Sequence, residues 1–212
     1  MGIQRSSWKA AVAVLGAVTV VAGLSACGSS PSPPARTTAA SPSVAATTVR
    51  GDSTGPATTP TPPTNALAAA AWEALMAPTG EYAASASYAA VIDAFGPVEP
   101  YASIRAAEER HIDALVRQLQ RFGVTPPPNP YLGTAKAPPS LAVAAQAWAD
   151  GEVANIALYD KLMSAAANDQ GLTRVFTNLR RASAEMHLPA FRAAAASGGT
   201  LTAAQLAELG LH

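Results

Sequence analysis

The chain has 212 residues, of which 14 are Lys or Arg, 14 are Asp or Glu and 49% are hydrophobic. Such a charge balance argues against binding to nucleic acid and against electrostatic adhesion to a membrane surface. Cys27 is the only cysteine, so an intramolecular disulfide and a metal site built from thiolates are both excluded.

Residues 1–26 have the pattern of a secretory signal. Arg5 and Lys9 give it a positive start, and the apolar run that follows is too short to span a bilayer comfortably. The tetrad Leu24-Ser25-Ala26-Cys27 resembles the lipobox of bacterial lipoproteins, in which cleavage precedes the cysteine and its sulfur is lipidated. We therefore expect acyl chains such as palmitate to anchor Cys27 to the membrane at the extracytoplasmic face of the cell envelope. The alternative is an ordinary signal peptide or a short anchor with an incidental cysteine.

Residues 27–65 follow as a segment rich in Ser, Pro, Thr and Ala, with no apolar periodicity. Such a segment cannot build a core, so we interpret it as a disordered tether. Its root-mean-square reach would be roughly 30–40 Å. A Pro-rich motif that binds a peptide-recognition domain is the alternative. The remaining residues, 66–212, are enough for one domain.

No strand pattern occurs in residues 66–212, which predicts an all-α domain. Four main helices are expected over 78–95, 100–122, 140–167 and 171–196, with short terminal helices at 66–76 and after Thr202. The first and third links are short and favour antiparallel hairpins, whereas the middle link, 123–139, is long enough to return along the bundle. Two antiparallel hairpins joined by a long crossover form the arrangement of a ferritin-like four-helix bundle.

Glu108 and His111 lie on the predicted buried face of the second main helix. Together with the apolar residues Ile104, Leu115 and Leu119 they form a run of successive steps of three and four residues, so all five side chains share one stripe. A buried carboxylate without a partner is costly. A metal ion is the leading candidate for that partner.

The other three main helices repeat this pattern. Glu81, Glu152 and His187 each fall on an inner stripe, so that every main helix points a metal-capable side chain inward. The stripe of the third main helix runs through Trp148 and Ile156, with Glu152 between them. We predict metal ligands at Glu81, Glu108, His111, Glu152 and His187. Imidazole and carboxylate suit Fe, Mn or Zn, and Tyr88 and Tyr159 lie on the same stripes as neighbouring phenols.

Several segments together resemble an uncharacterised bacterial ferritin-like family, an exported domain of unknown function. They are Glu81-Tyr82-Ala83, Tyr88, Phe95-Gly96, Pro100-Tyr101-Ala102-Ser103-Ile104, Ala107-Glu108-Glu109-Arg110-His111, Glu152, Ala157-Leu158-Tyr159-Asp160 and Arg181-Ala182-Ser183-Ala184-Glu185-Met186-His187-Leu188-Pro189-Ala190-Phe191. The resemblance implies a ferritin-like four-helix fold, and it carries the family's expected ligand positions to the same five Glu and His residues. It implies no particular activity.

The sequence departs from a symmetric two-metal site at one position. Such a site uses a Glu-x-x-His motif on each of two helices, but Ala184 stands three residues before His187, and Glu185 should face away. We therefore expect one Fe or Mn ion rather than two, held by Glu81, Glu108 and His111. Glu152 and His187 would act as weaker or second-site ligands.

Two functions from different classes remain open on the sequence. The first is a lipid-anchored, metal-binding envelope protein, in which an iron site could use oxygen or peroxide as oxidant. The second is a metal-free helical bundle that serves as a binding or scaffold module, with inward Glu and His side chains that satisfy one another. The sequence predicts no particular protein partner, and it contains no nucleophile motif, phosphate-binding loop or nucleotide fingerprint.

Overall fold

A computed structural model describes residues 60–211, and within this range the chain is all-helical with no strand, which confirms the all-α prediction. The helices are α1 Ala66–Met76, α2 Glu81–Phe95, α3 Tyr101–Arg121, α4 Leu141–Ala166, α5 Gln170–Ala182, a π-helical turn Ser183–His187, α6 Leu188–Ala196 and α7 Ala203–Glu208. The signal segment, Cys27 and most of the tether lie outside the described residues. No helix between residues 60 and 211 is both long and apolar enough to cross a membrane.

The helix starts follow local chemistry. The Asn65 side chain accepts hydrogen bonds from the backbone N–H groups of Leu67 and Ala68, both at 3.0 Å, and so caps helix α1 at its start. Helix α2 begins at Glu81, three residues later than expected. The reason is Gly80, where a Cβ atom would lie only 2.3 Å from the carbonyl oxygen of Ala74, so the chain turns tightly there before α2 starts.

Two helix pairs form the body of the domain: α2 packs on α3, and α4 packs on the continuous run from α5 to α6. Arg121, at the end of α3, binds Asp169 at the start of α5, with Nη2 2.6 Å from Oδ1. At the opposite end, the Tyr101 hydroxyl at the start of α3 lies 3.0 Å from the Leu141 carbonyl oxygen at the start of α4. Helices α3 and α4 therefore run in the same direction, and residues 122–140 connect opposite ends of the bundle.

The 122–140 connection is fastened to the first two helices. The Tyr82 hydroxyl donates to the Pro127 carbonyl at 3.0 Å, the Asn129 amide donates to the Tyr82 carbonyl at 2.8 Å, and the Tyr131 hydroxyl donates to the Met76 carbonyl at 2.8 Å. The long middle link predicted from the sequence is thus a non-helical segment held against the bundle by side-chain hydrogen bonds.

The core consists of two apolar halves separated by a polar layer. One half contains Leu115, Leu119 and Phe176, and the other contains Ile104 and Phe191. The buried polar residues between them are Glu81, Ser85, Glu108, Glu152, Asn155, Ser183 and His187. Apolar burial on both sides fixes the helices, and the polar layer is thereby held at mid-height in the bundle.

The π-helical turn Ser183–His187 interrupts the last long helix and was not predicted. Pro189 supplies its physical reason: proline has no N–H to donate to the Glu185 carbonyl, and its ring would clash with that carbonyl in a regular helix. The helix is wider by one residue in this turn. The Leu188 N–H donates to the Ser183 carbonyl, five residues back, and not to the carbonyl four residues back as in an α-helix. Such turns occur frequently at functional sites.

Candidate metal centre

The structure brings all five predicted ligand side chains into the polar layer. They come from four stretches of chain: Glu81 from the start of α2, Glu108 and His111 from α3, Glu152 from α4, and His187 from the π-helical turn. Four of them are at most 3% exposed, and the His111 side chain is 14% exposed. The helical stripes therefore predicted correctly that these five side chains face inward, four of them buried and His111 partly buried.

Glu108 occupies the middle of the cluster, with one carboxylate oxygen towards each histidine. Its Oε2 lies 2.9 Å from His111 Nδ1, and its Oε1 lies 3.1 Å from His187 Nδ1. Glu81 Oε2 is 3.4 Å from His111 Nδ1, and Glu152 Oε1 is 3.6 Å from His187 Nδ1. The result is two triads, Glu81–Glu108–His111 and Glu108–Glu152–His187, whose ligand atoms lie within 4.8 Å of one another.

This arrangement differs from the two unequal half-sites expected from the sequence. Glu108 belongs to both triads, so the second one has a shared carboxylate although Ala184 provides none. The inward position of the π-helical turn is taken by Ser183, while Ala184 is only partly buried and Glu185 is exposed, as predicted.

Hydrogen-bond donors orient two of the three carboxylates. The Tyr159 hydroxyl and the Asn155 amide both donate to Glu81 Oε1, the latter at 3.4 Å. The Tyr88 hydroxyl donates to Glu152 Oε1 at 2.7 Å. The sequence placed both tyrosines on these stripes, and in the structure each hydroxyl donates a hydrogen bond to one carboxylate.

Asn155 and Ser183 are site residues that the sequence interpretation missed. Asn155 also donates to the Thr79 carbonyl at 3.0 Å and accepts from the Ser183 hydroxyl at 2.8 Å, which links α4 to the α1–α2 connection and to the π-helical turn. Its position three residues after Glu152 on the same helical face was the available signal. The chosen stripe instead ran through Trp148 and Ile156, which are only partly buried.

Two atoms of the second triad are buried without a hydrogen-bond partner among the described residues: Glu152 Oε2 and His187 Nδ1. His187 Nδ1 lies 3.1 Å from Glu108 Oε1, but the two groups are not aligned for a hydrogen bond. An unsatisfied buried polar atom costs about 1–3 kcal/mol. A nitrogen and a carboxylate oxygen that both lack partners are the donor atoms that a transition-metal cation would satisfy.

Burial and neighbouring charges shift the pKa values of four ionisable groups in the cluster. Burial, together with the negative charge of Glu108, raises the pKa of Glu81 to about 8. Burial also opposes the charged form of Glu108, but its hydrogen bond with Glu81 and its contacts with both histidines hold its pKa well below the usual value. Burial disfavours charged imidazole as well, yet the neighbouring carboxylates raise the pKa of His111 to about 9 and that of His187 to about 10. At neutral pH, protons therefore provide the positive charge that balances the carboxylates when no cation is bound.

Two cavities reach the cluster from different sides. A cavity of about 80 Å³ touches Glu108 and Glu152 and is walled by Tyr88, Trp148 and Gly151. The indole Nε1 of Trp148 is another buried atom with no partner among the described residues. A second cavity of about 170 Å³ reaches the two histidines from the side of the C-terminal segment. Small molecules can therefore approach the carboxylates and the imidazoles separately.

Comparison with known proteins yields no match: no protein-family model, no curated protein and no solved structure matches this chain. The ferritin-like resemblance described above therefore remains a prediction.

Proposed function

We propose that this chain is a lipid-anchored protein of the cell envelope whose helical domain binds a divalent transition-metal ion, Fe or Mn. The ligands would be Glu81, Glu108, His111, Glu152 and His187. The observation that carries the proposal is the position of Glu108, which presents one oxygen to the Nδ1 atom of each histidine inside the core.

The separations between donor atoms are compatible with a shared ion. Two ligand atoms that each lie about 2.1 Å from one ion, at angles of 90–110°, are about 3.0–3.4 Å apart. The four nitrogen–oxygen separations in the cluster run from 2.9 to 3.6 Å. An ion at the Glu108–Glu152–His187 triad would also give partners to Glu152 Oε2 and His187 Nδ1, which have none among the described residues.

Charge favours one tightly held ion over two. Three carboxylates can balance one divalent ion with a negative charge to spare, whereas two divalent ions would leave a net positive charge in a buried layer. Because Glu108 belongs to both triads, an ion at either one uses the same central carboxylate. We expect one ion at the Glu81–Glu108–His111 triad and a weaker second position at Glu152 and His187.

The helix directions support a ferritin-like bundle as the finer description of the fold. Helices α3 and α4 run in the same direction, and a long crossover joins the two helix pairs. Ferritin-like carboxylate sites place one Glu on each of two helices and a Glu-x-x-His motif on each of the other two. Here α2 and α4 each supply a Glu, α3 supplies Glu108 and His111, and the last long helix supplies His187.

The domain's own residues suit a site that could take part in redox chemistry. A bound iron ion would supply a one-electron couple. Tyr88 and Tyr159 hold the carboxylates by donating hydrogen bonds, and burial with neighbouring negative charge raises the pKa of both phenols well above the usual value, so they keep their protons. The cavity beside Trp148 admits only small molecules to Glu108 and Glu152.

The second candidate function is a metal-free bundle that serves as a binding or scaffold module of the envelope. The hydrogen bonds from His111 to Glu108 and from Tyr88 to Glu152 favour it, because such contacts can satisfy a buried polar network without a cation. The two functions differ in what they require at position 108. A hydrogen-bonded network tolerates Gln there, whereas a site that needs the negative charge does not.

Elemental analysis of protein purified without chelator tests the proposal. The wild type should contain close to one equivalent of Fe or Mn, and Glu108→Gln should lose most of it. Glu185→Gln, at an exposed position of the π-helical turn, is the matched control and should keep the wild-type content. Equal metal content in Glu108→Gln and the wild type would place the metal outside this cluster, and no metal in the wild type would favour the metal-free network.

A further inference from the structure

The cavity of about 80 Å³ between α2 and α4 links the surface of the domain with two carboxylates of the cluster. Pro78 and Thr79, which line it, are exposed, whereas Glu108 and Glu152, which also line it, are at most 3% exposed. A single water needs about 10–15 Å³ of such space, so the cavity has room for an ion with several of its waters. A buried metal site needs a path of this kind, because a charged ion cannot readily cross the apolar halves of the core.

Small side chains form the walls of this cavity. Ala83, Ala84 and Ser87 line it from α2, and Gly151 lines it from α4. The atom nearest to an added Cβ at Gly151 would be Cε3 of Trp148, at 3.6 Å, which is an ordinary van der Waals distance. The gap between the two helices therefore exists because its walls lack the larger side chains that would fill it.

Charge distinguishes this cavity from the one of about 170 Å³ on the histidine side. Among the described residues, the walls of the smaller cavity include two carboxylates and no Lys, Arg or His. Those of the larger cavity include Arg110 and both histidines but none of the three carboxylates of the cluster. A cation is attracted by the first set of charges and repelled by Arg110 in the second. Because the Nδ1 atoms face the carboxylates, the imidazole rings also stand between the larger cavity and the ligand atoms.

Glu152 is the carboxylate of the cluster with an unused oxygen. Its Oε1 accepts a hydrogen bond from the Tyr88 hydroxyl at 2.7 Å, and its Oε2 has no partner among the described residues. Both oxygens of Glu108, and both of Glu81, already face a hydrogen-bond donor or a histidine nitrogen. Glu152 also lines the cavity, so it can accept an entering ion without first losing a contact.

We propose that the cavity between α2 and α4 is the route by which a divalent cation enters and leaves the cluster, and that Glu152 is the first residue to bind it. The Glu108–Glu152–His187 triad then serves as a transfer position, from which the shared carboxylate of Glu108 delivers the ion to the Glu81–Glu108–His111 triad. This inference rests on the proposed metal binding, and it adds a direction of entry and a first ligand.

Stopped-flow loading of Mn²⁺ into the full-length, metal-free protein, with an indicator of free Mn²⁺, tests the route. Gly151→Leu fills part of the cavity and should load about tenfold more slowly or worse, because a close-packed wall yields little. Ala84→Leu, on the α2 wall, should have the same effect. Gly151→Ala, which makes the same change of helix propensity without filling the gap, should load much like the wild type. Ala107→Leu, in the wall of the larger cavity, is the matched control and should also load like the wild type.

Release of the ion into excess chelator gives a second readout. One route serves both directions, so Gly151→Leu should slow release by the same factor as loading and leave the metal content at equilibrium unchanged. Glu152→Gln keeps the shape of the side chain and removes its charge. If Glu152 is the first ligand, this change should slow both loading and release. A residue that only holds the bound ion would instead, on substitution, let the ion leave faster with loading unchanged.

Three results would overturn the route while leaving metal binding intact. They are equal loading rates in Gly151→Leu, Ala84→Leu and the wild type, slower loading in Ala107→Leu than in Gly151→Leu, and faster release from Glu152→Gln with unchanged loading. A wild type that binds no Mn²⁺ would overturn the metal proposal and the route with it. The metal content of the wild type therefore distinguishes the two failures.

Discussion

Glu108 Oε1 and His187 Nδ1 lie 3.1 Å apart in the middle of the bundle, although the two residues are 79 positions apart in sequence, and the nitrogen has no hydrogen-bond partner within residues 60–211. The other oxygen of the same carboxylate contacts His111 of its own helix. One carboxylate thus joins the two histidines of the polar layer. The predictions below follow from this relationship and from the packing that maintains it.

Metal binding should stabilise the folded protein. A ligand at a hundredfold excess over its dissociation constant adds about 2.7 kcal/mol to the free energy of unfolding. Anaerobic addition of Fe²⁺ or Mn²⁺ should therefore raise the melting temperature of the wild type but not that of His111→Ala, as measured by scanning calorimetry. An equal rise in both proteins would place the ion elsewhere.

Metal binding should release protons and strengthen as the pH rises. Without metal, the pKa values of Glu81 and His111 are raised to about 8 and 9, so both hold a proton at pH 7 that a cation at their triad must displace, and an ion at the second position must displace one from His187, whose pKa is about 10. Proton release can be measured by calorimetry at pH 7 in buffers of different ionisation enthalpy. Affinity that is independent of pH between 6 and 9 would contradict this prediction.

The metal-free protein should show the opposite pH dependence. A raised pKa in the folded state gives stability that is complete below the unfolded value, 4.5 for Glu81 and 6.5 for the histidines, and is lost as the pH rises through the folded value. Chemical denaturation without metal should therefore show stability that decreases from about pH 4.5 because of Glu81, and more steeply from about pH 6.5 to pH 10 because of the histidines. Bound metal should flatten this slope, because it takes the place of the protons.

Gly80 should be required for the start of α2, which places Glu81 in the site. A Cβ atom there would lie 2.3 Å from the Ala74 carbonyl oxygen, so Gly80→Ala should lower the free energy of unfolding by about 1–3 kcal/mol. Gly151→Ala is the matched control in α4, where the nearest atom to an added Cβ is 3.6 Å away. Denaturant unfolding should find that variant unchanged or slightly more stable, since Ala favours helix over Gly.

The membrane anchor is tested by cell fractionation. Cys27→Ser should prevent lipidation, so that the protein is released or remains as an uncleaved precursor, whereas Ser25→Ala should leave the lipobox functional. The reason is that two or more acyl chains give stable membrane attachment, and Cys27 is the only cysteine on which the lipobox modification could place them. A Cys27→Ser protein held as firmly in the membrane fraction as the wild type would contradict the lipoprotein prediction.

The sequence was sufficient to predict the helices and the inward-facing Glu and His side chains because both depend on local spacing. Glu108 and His111 fall on the stripe of Ile104 and Leu115. Because that stripe is buried, both side chains face inward, independently of how the other helices are arranged. Gly and Pro residues predicted most helix ends, because their effect on the backbone is also local. Periodicity on one helix is enough to decide which of its faces is buried.

Features that depend on contacts between helices could not be predicted in this way. That Glu108 serves both triads depends on how close α3 comes to the π-helical turn, and a turn with one extra residue changes the direction of every side chain in it. Asn155 was missed because the stripe chosen for α4 was displaced around the helix by about one residue. Pro189 was visible, but its effect on the preceding turn became clear only from the backbone.

The most direct test of the central claim is anomalous diffraction from crystals of the protein grown with Fe²⁺ or Mn²⁺, recorded on both sides of the metal's absorption edge. The account predicts one strong peak in the polar layer, about 2.0–2.2 Å from His111 Nδ1 and from an oxygen of Glu108. Maps without a peak there, in which His111 Nδ1 still donates to Glu108, would contradict it and identify the cluster as a metal-free hydrogen-bonded network.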